Sequence, residues 1–294
     1  MNIAIHNWMR AEPLESTIKR ISSLGYDQIE IQGTPELYDP AVVKPLLDKY
    51  NIKCWGSVTL MLEDRNLLAK DKAQREMSIQ YVIDIVKMVK ALGGSVISLV
   101  PSTVGKIIPE GTPDEDWEIA VESVKKIYEV SEQEGILIGI EPINRFETYF
   151  INRGDQALAL AEAVGPNCGV CLDAFHMNIE EDNSADAIRR VGSRLVNFHV
   201  ADNNRMAPGM GTINWSEIIS TLQEIGYDKT LSMEFCPPLD RTPANPYPNS
   251  VEENPEGLSP EQKKFLEDHG SSAVKEEFYT MLTKKSLETI KPLV

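Results

Sequence analysis

Four residues able to ligate a metal each close a short apolar run: Ile138-Gly-Ile-Glu141, Val170-Cys-Leu-Asp173, Val196-Asn-Phe-His199 and Leu231-Ser-Met-Glu234. They lie 32, 26 and 35 residues apart, each interval about one strand-plus-helix unit. One such carboxylate would read as a solvated rim residue, because charged side chains are mostly exposed. Four in consecutive runs would require four coincident placements. Three hard oxygen donors with one imidazole suit a divalent ion such as Mn²⁺, Co²⁺ or Mg²⁺, whereas structural Zn²⁺ favours thiolates or more histidines. Other polar side chains follow within a few residues: Glu147 after Glu141, His176 after Asp173 and Arg205 after His199. The chain has only 4 histidines. Three of them, His6, His176 and His199, fall at or just after strand ends, which adds His6 to the candidates.

The runs that carry these residues belong to a longer series. Strand-like segments are expected at residues 2–6, 28–32, 53–58, 95–100, 136–141, 169–173, 195–200 and 230–235. Most are nearly continuous apolar stretches, as strands covered on both faces should be. Helical patterns are expected at 13–24, 72–92, 117–134, 156–164, 185–191, 215–225 and 273–290, several with a glycine just past the end. Eight strands alternating with helical patterns give an α/β chain with the count of a single (β/α)8 TIM barrel spanning residues 1–294. The open doubly wound sheet is disfavoured, because no GxGxxG follows the first strand. In a barrel, residues ending the strands converge on one mouth. Residues 237–269, with seven prolines and many polar side chains, are too long for an ordinary connection. They read as an inserted loop after strand 8, either a surface excursion or a lid.

Composition narrows the partners. With 29 Lys and Arg against 45 Asp and Glu, the formal net charge is −16. A nucleic acid or an anionic membrane would need a cationic face, so neither is expected as a partner. The absence of a long apolar run and a start directly on a strand-like segment predict neither a signal peptide nor a membrane span. A cytoplasmic location follows as an expectation. The four cysteines, Cys54, Cys168, Cys171 and Cys236, are read as buried structural thiols; Cys168 and Cys171 have CxxC spacing but sit inside a strand with no further zinc ligands beside them.

At the loop motifs a resemblance becomes specific. Glu141-Pro-Ile-Asn-Arg-Phe-Glu147, Leu172-Asp-Ala-Phe-His-Met-Asn-Ile-Glu-Glu181, His199-Val-Ala-Asp-Asn-Asn-Arg205, the Pro208-Gly-Met-Gly211 turn with Trp215, and Met233-Glu234 resemble the D-tagatose 3-epimerase/D-psicose 3-epimerase family of xylose-isomerase-like barrels. The similarity spans about residues 1–235. It implies a metal-dependent sugar epimerase in which Glu141, Asp173, His199 and Glu234 hold one divalent ion, Mn²⁺ first among them. Glu141 and Glu234 would serve as acid and base on opposite faces of a ketose, passing through an enediolate. Glu147, His176 and Arg205 would bind the substrate's oxygens, and relatives of this kind suggest a homo-oligomer, dimer or tetramer.

Three mouth segments differ from those epimerases: His6-Asn-Trp8, Val100-Pro-Ser-Thr-Val-Gly105 and the proline-rich loop. A more distant resemblance, to catalytic subunits of C-glycoside deglycosidases, supplies an alternative. That reading is a lyase on a 3-keto glycoside, working with a small second subunit. A non-catalytic sugar-binding barrel is a third. A DNA-repair endonuclease of the same barrel type is disfavoured by the net charge and by the few histidines.

Overall fold

In the computed structural model, which describes residues 1–251, 260, 263 and 273–294, eight parallel strands close into a barrel in chain order, the first pairing with both the second and the eighth. The strands are β1 (Asn2–His6), β2 (Gln28–Gly33), β3 (Lys53–Thr59), β4 (Val96–Leu99), β5 (Leu137–Ile140), β6 (Cys168–Asp173), β7 (Leu195–Val200) and β8 (Thr230–Met233). Their residues are buried almost throughout, because the helical ring covers the outside while side chains fill the inside. Closure leaves no strand edge unpaired. Gly56 permits the tight contact between β3 and β4: a Cβ there would stand 2.2 Å from the Val96 carbonyl oxygen.

The ring comprises α1 (Leu14–Leu24), α2 (Pro40–Tyr50), α3 (Lys72–Leu92), α4 (Pro113–Glu134), α5 (Gly154–Val164), α6 (Ala174–Glu180), α7 (Ser184–Val191), α8 (Trp215–Glu224) and α9 (Glu276–Ile290). Two of these were not expected from periodicity. Helix α2 contains Pro45, which reads as a helix breaker, while Pro40 occupies its first turn, where a missing N–H costs nothing. Helix α6 has only 7 residues, too few to reveal a period. Strands β5 and β8 also end just before the expected glutamates, yet pairing runs on. The Glu141 N–H donates to Leu99 O at 2.9 Å and the Glu234 N–H to Val200 O at 2.9 Å. The ladder therefore still fixes the direction of both side chains.

The loop after β8 is described for residues 237–251. The Cys236 N–H donates to Arg205 O at 2.6 Å, the Lys275 N–H donates to Ser250 O at 2.8 Å, and the Tyr247 ring lies 5.1 Å from that of Phe278 on α9. This stretch is fastened to the loop after β7 at one end and to the start of α9 at the other. The remainder of the expected lid, apart from residues 260 and 263, lies outside the described residues.

Helix α4 leads in from the β4 loop and owes its sharp start to a reciprocal cap. The Glu115 N–H donates to Thr112 Oγ1 at 3.3 Å, and the Thr112 N–H donates to Glu115 Oε2 at 2.8 Å. Pro113 follows the cap, and Gly135 ends the helix at φ 68°, a left-handed position that glycine adopts at no steric cost. Replacing Thr112 with Ala should lower stability by about 0.5–2 kcal/mol. A urea melt that leaves the midpoint unchanged would show the cap to be idle.

Candidate active site

The barrel register brings the four candidate ligands together. Asp173 at the end of β6 pairs with His199 on β7, and His199 pairs with Ser232 on β8, two residues before Glu234. Since alternate residues of a strand face the same side, these positions point into the mouth. Ligand atoms of Glu141, Asp173, His199 and Glu234 all lie within 4.8 Å of one another, and all four residues are buried. The ring of His199 is the hub. Its Nδ1 is 2.9 Å from Glu141 Oε1 and 2.9 Å from Glu234 Oε2.

Three carboxylates gathered in a dry interior repel one another and lose hydration. Burial pushes Asp173 up to about 7, with Glu234 adding repulsion, and burial likewise raises Glu141. The His199 imidazolium is disfavoured by burial, yet Cys171, Glu141, Glu234 and Glu30 together lift its pKa well above the usual 6.5. Asp173 Oδ2 is buried with no hydrogen-bond partner. An orphaned carboxylate oxygen within a cluster of oxygen and imidazole donors is what a divalent cation would satisfy, so the residues fit such an ion.

A cavity of about 160 Å³ opens beside this cluster. Its polar side is formed by Glu141, Glu147, His176, Arg205 and Glu234, and its other side includes Trp8, Met61, Val100 and Ile143. Glu147 Oε1 accepts from Asn144 Nδ2 at 2.7 Å and from Arg205 Nη1 at 3.3 Å. His176 Nδ1 accepts from the Asn144 backbone N–H at 3.2 Å. Burial holds its pKa well below 6.5, so the ring is neutral with its proton on Nε2. That nitrogen lies on the side of Asp173, 4.0 Å from Oδ2, where it can donate to a bound oxygen. The Arg205 guanidinium stacks over Phe175 at 4.8 Å, and its backbone adopts φ 58°, a costly conformation for a residue with a Cβ. Asp202 supports it by accepting from the backbone N–H groups of Gly209 and Ile213 at 2.8 and 3.1 Å and from Trp215 Nε1 at 3.1 Å.

His6 is placed differently from the other candidates. It is fully buried, does not line the cavity, and sits edge-on to the His199 ring with centroids 4.7 Å apart. Burial lowers its pKa to about 3. It therefore packs behind the hub as a neutral ring. Sequence reasoning missed the groups next to it, Glu30, Ser98 and Asn197, all fully buried. The signal was present: Gln28-Ile-Glu-Ile-Gln32 and Val196-Asn-Phe-His199 place polar residues inside apolar strands, where burial demands a partner. No disulfide joins the cysteines among the described residues; Cys54, Cys168 and Cys171 are buried, while Cys236 is half-buried and borders the cavity.

A profile for the xylose isomerase-like TIM barrel matches residues 18–269. D-psicose 3-epimerase of Ruminiclostridium cellulolyticum is 34% identical over 229 residues, covering 74% of this chain and 76% of that protein. The chain thus belongs to the xylose isomerase-like barrels and, among them, to the ketose 3-epimerase family. L-ribulose 3-epimerase of Methylomonas sp. is 30% identical over 213 residues, 71% of this chain and 74% of that one. The crystal structure of D-psicose 3-epimerase from Clostridium cellulolyticum H10 with D-tagatose superposes with TM-score 0.80 at 27% identity, covering 100% of this chain and 99% of that one. Among the described residues no helix is long and apolar enough to cross a membrane.

A cation competes with protons for these ligands. Because Asp173 in the metal-free protein titrates near 7, Mn²⁺ binding should release protons and tighten as pH rises through about 7. Isothermal titration between about pH 6 and 8 in buffers of different ionisation enthalpy would check this. Flat affinity with no proton release would contradict it.

Proposed function

We propose that this chain is a ketose 3-epimerase that inverts a carbon next to a ketone, using Glu141 and Glu234 as the proton-transferring pair. The observation carrying the proposal is that these two carboxylates each lie 2.9 Å from one imidazole nitrogen and both border the same cavity.

A C–H beside a ketone is a very weak acid compared with an ordinary carboxylic acid, so unaided transfer to a glutamate is steeply uphill. A divalent ion held by Glu141, Asp173, His199 and Glu234, with Mn²⁺ preferred and Co²⁺ or Mg²⁺ also compatible, would supply Lewis-acid stabilisation of negative charge at the sugar's ketone oxygen. The remaining work falls to the chain. Glu141 and Glu234 come from β5 and β8, three strands apart around the closed barrel, and so can address opposite faces of a flat intermediate. One takes the proton while the other, protonated, returns one to the far face; in the reverse direction they exchange tasks. Burial raises the Glu141 pKa above the usual carboxylate value, which makes it a better proton carrier than an exposed glutamate. Arg205 and His176 Nε2 offer hydrogen-bond donors to the sugar oxygens, and Glu147 offers an acceptor. The apolar wall of Trp8, Met61, Val100 and Ile143 limits water around the intermediate. An unphosphorylated sugar fits this cavity, since among the described residues Arg205 is the one cationic side chain lining it and is already paired with Glu147.

Association with a second copy of the chain, as dimer or tetramer, is supported by exposed apolar side chains on the β4 and β5 loops. Ile107, Ile108 and Phe146 are 56%, 74% and 74% exposed, and the loops are stitched together by Gly105 N–H donating to Glu147 O at 2.7 Å.

The test uses D-fructose, D-tagatose and D-psicose in D₂O with Mn²⁺. Epimerisation with deuterium entering only C3 is expected. Glu141→Gln and Glu234→Gln should each slow interconversion by about 10²–10⁴-fold, and each should retain hydrogen washout from one epimer only. If both variants keep near-parental rates, or if no ketose exchanges its C3 hydrogen, this function is refuted.

A further inference from the structure

We infer that Glu30, buried in β2 beneath the ligand cluster, is a positioning residue for the metal centre. It accepts the Nε2 proton of His199 and so commits Nδ1 to the cation. The inference rests on the metal-site reading above and concerns a residue outside the ligand set.

The two ring nitrogens of His199 face different chemistry. Nδ1 looks toward the mouth and the carboxylates of Glu141 and Glu234. Nε2 looks into the barrel, 3.3 Å from Glu30 Oε1, 3.3 Å from Ser98 Oγ and 3.1 Å from Asn197 Nδ2. A neutral imidazole that gives Nδ1 to a cation carries its proton on Nε2 and needs an acceptor there. The orientation of each neighbour decides which one accepts. Trp55 Nε1 donates to Asn197 Oδ1 at 2.9 Å, which turns the amide Nδ2 toward Glu30, where it lies 3.2 and 3.0 Å from the two carboxylate oxygens. Asn197 therefore presents a donor to this space. Ser98 Oγ also donates to Glu30 Oε1, at 3.2 Å. Glu30 is left as the charged acceptor for Nε2, with its orientation fixed by donors from β4 and β7.

The ring is held from a second direction as well. His6 from β1 packs perpendicular to it, at 89° between ring planes, and reaches within 3.8 Å of Glu30 Oε2. Glu30, Ser98, Asn197, His6 and His199 are all fully buried. A core built only for stability would place an aliphatic side chain at position 30, because an enclosed carboxylate is costly even when well hydrogen-bonded. A carboxylate on the far nitrogen of a ligating histidine fixes its tautomer and makes it a better donor to the metal.

Two measurements test this, neither reading turnover. The metal-free protein is titrated with Mn²⁺, free ion being followed by its electron paramagnetic resonance signal. Glu30→Gln should bind Mn²⁺ about 10–100-fold more weakly than the parent while its circular dichroism spectrum is retained. In the unsubstituted protein loaded with diamagnetic Zn²⁺, ¹⁵N-histidine correlation spectra should show His199 metal-bound at Nδ1 and protonated at Nε2, a readout that stands even if the variant fails to fold. A folded Glu30→Gln with affinity within about threefold of the parent overturns the role of Glu30. A spectrum with Nε2 on the metal does so too. If the parent binds no Mn²⁺, the metal reading falls and takes this inference with it.

Discussion

Enclosing several carboxylates around one imidazole is the constraint from which the rest of this structure follows. Glu141, Asp173 and Glu234 approach His199 in a buried space beside the cavity, and Glu30 adds a fourth acid from below. One imidazolium cannot neutralise four carboxylates. Without further cation the cluster relieves itself by holding protons, which is the physical content of the raised Asp173 and Glu141 values. A divalent ion relieves it by replacing those protons. Binding capacity and proton-carrying capacity are thus two responses to one excess of negative charge.

Only a rigid frame can keep such an arrangement from dispersing. In a closed barrel each strand is hydrogen-bonded on both sides, so the register that places Asp173 beside His199 cannot slip without breaking neighbouring ladders. The polar layer beneath acts in the same direction through side chains. Trp55 fixes Asn197, and Asn197 and Ser98 fix Glu30, so the hub is held by groups from four strands. The Trp55–Asn197 link is a neutral hydrogen bond worth about 0.5–1.5 kcal/mol net, and those to the Glu30 carboxylate are worth about 1.5–3 kcal/mol. Their value lies in leaving the ring one orientation.

The sequence made the upper layer legible and the lower one obscure, for a physical reason. Glu141, Asp173, His199 and Glu234 end apolar runs at regular intervals, and a strand end is where a polar residue in a barrel has a mouth to face. Glu147, His176 and Arg205 were found by proximity to them, and the cavity does gather all three. Glu30 and Asn197 lie in mid-strand, where which partner satisfies a polar side chain depends on strands far away in sequence: Glu30 meets Asn197 across 167 residues. No local pattern encodes that pairing. His6 illustrates the converse. Its place at the end of β1 resembles that of a substrate ligand, but the ring turns inward against His199 and is lost to the cavity. Helix α2 was obscure for a local reason, since Pro45 masks a helix that packing against the barrel stabilises despite it.

In the proposed reaction, the chemistry and the choice of sugar would be carried by different parts of the barrel. The residues proposed as ligands and as the proton-transferring pair end or directly follow β5 to β8, where their ligand atoms lie within 4.8 Å of one another. The apolar wall comes mainly from β1, β3 and β4 and the loops after them, through Trp8, Val58, Met61 and Val100. A change in that wall alters the volume and polarity met by the distal end of a sugar and leaves the register of β5 to β8 untouched. Two of the three mouth segments that differ from the epimerases this chain resembles, His6-Asn-Trp8 and Val100-Pro-Ser-Thr-Val-Gly105, fall on that side of the mouth, while the third follows β8. Such a division would let the proposed proton-transfer apparatus serve differently shaped ketoses, because binding energy at the apolar wall could change while the geometry at the reacting carbon stayed fixed.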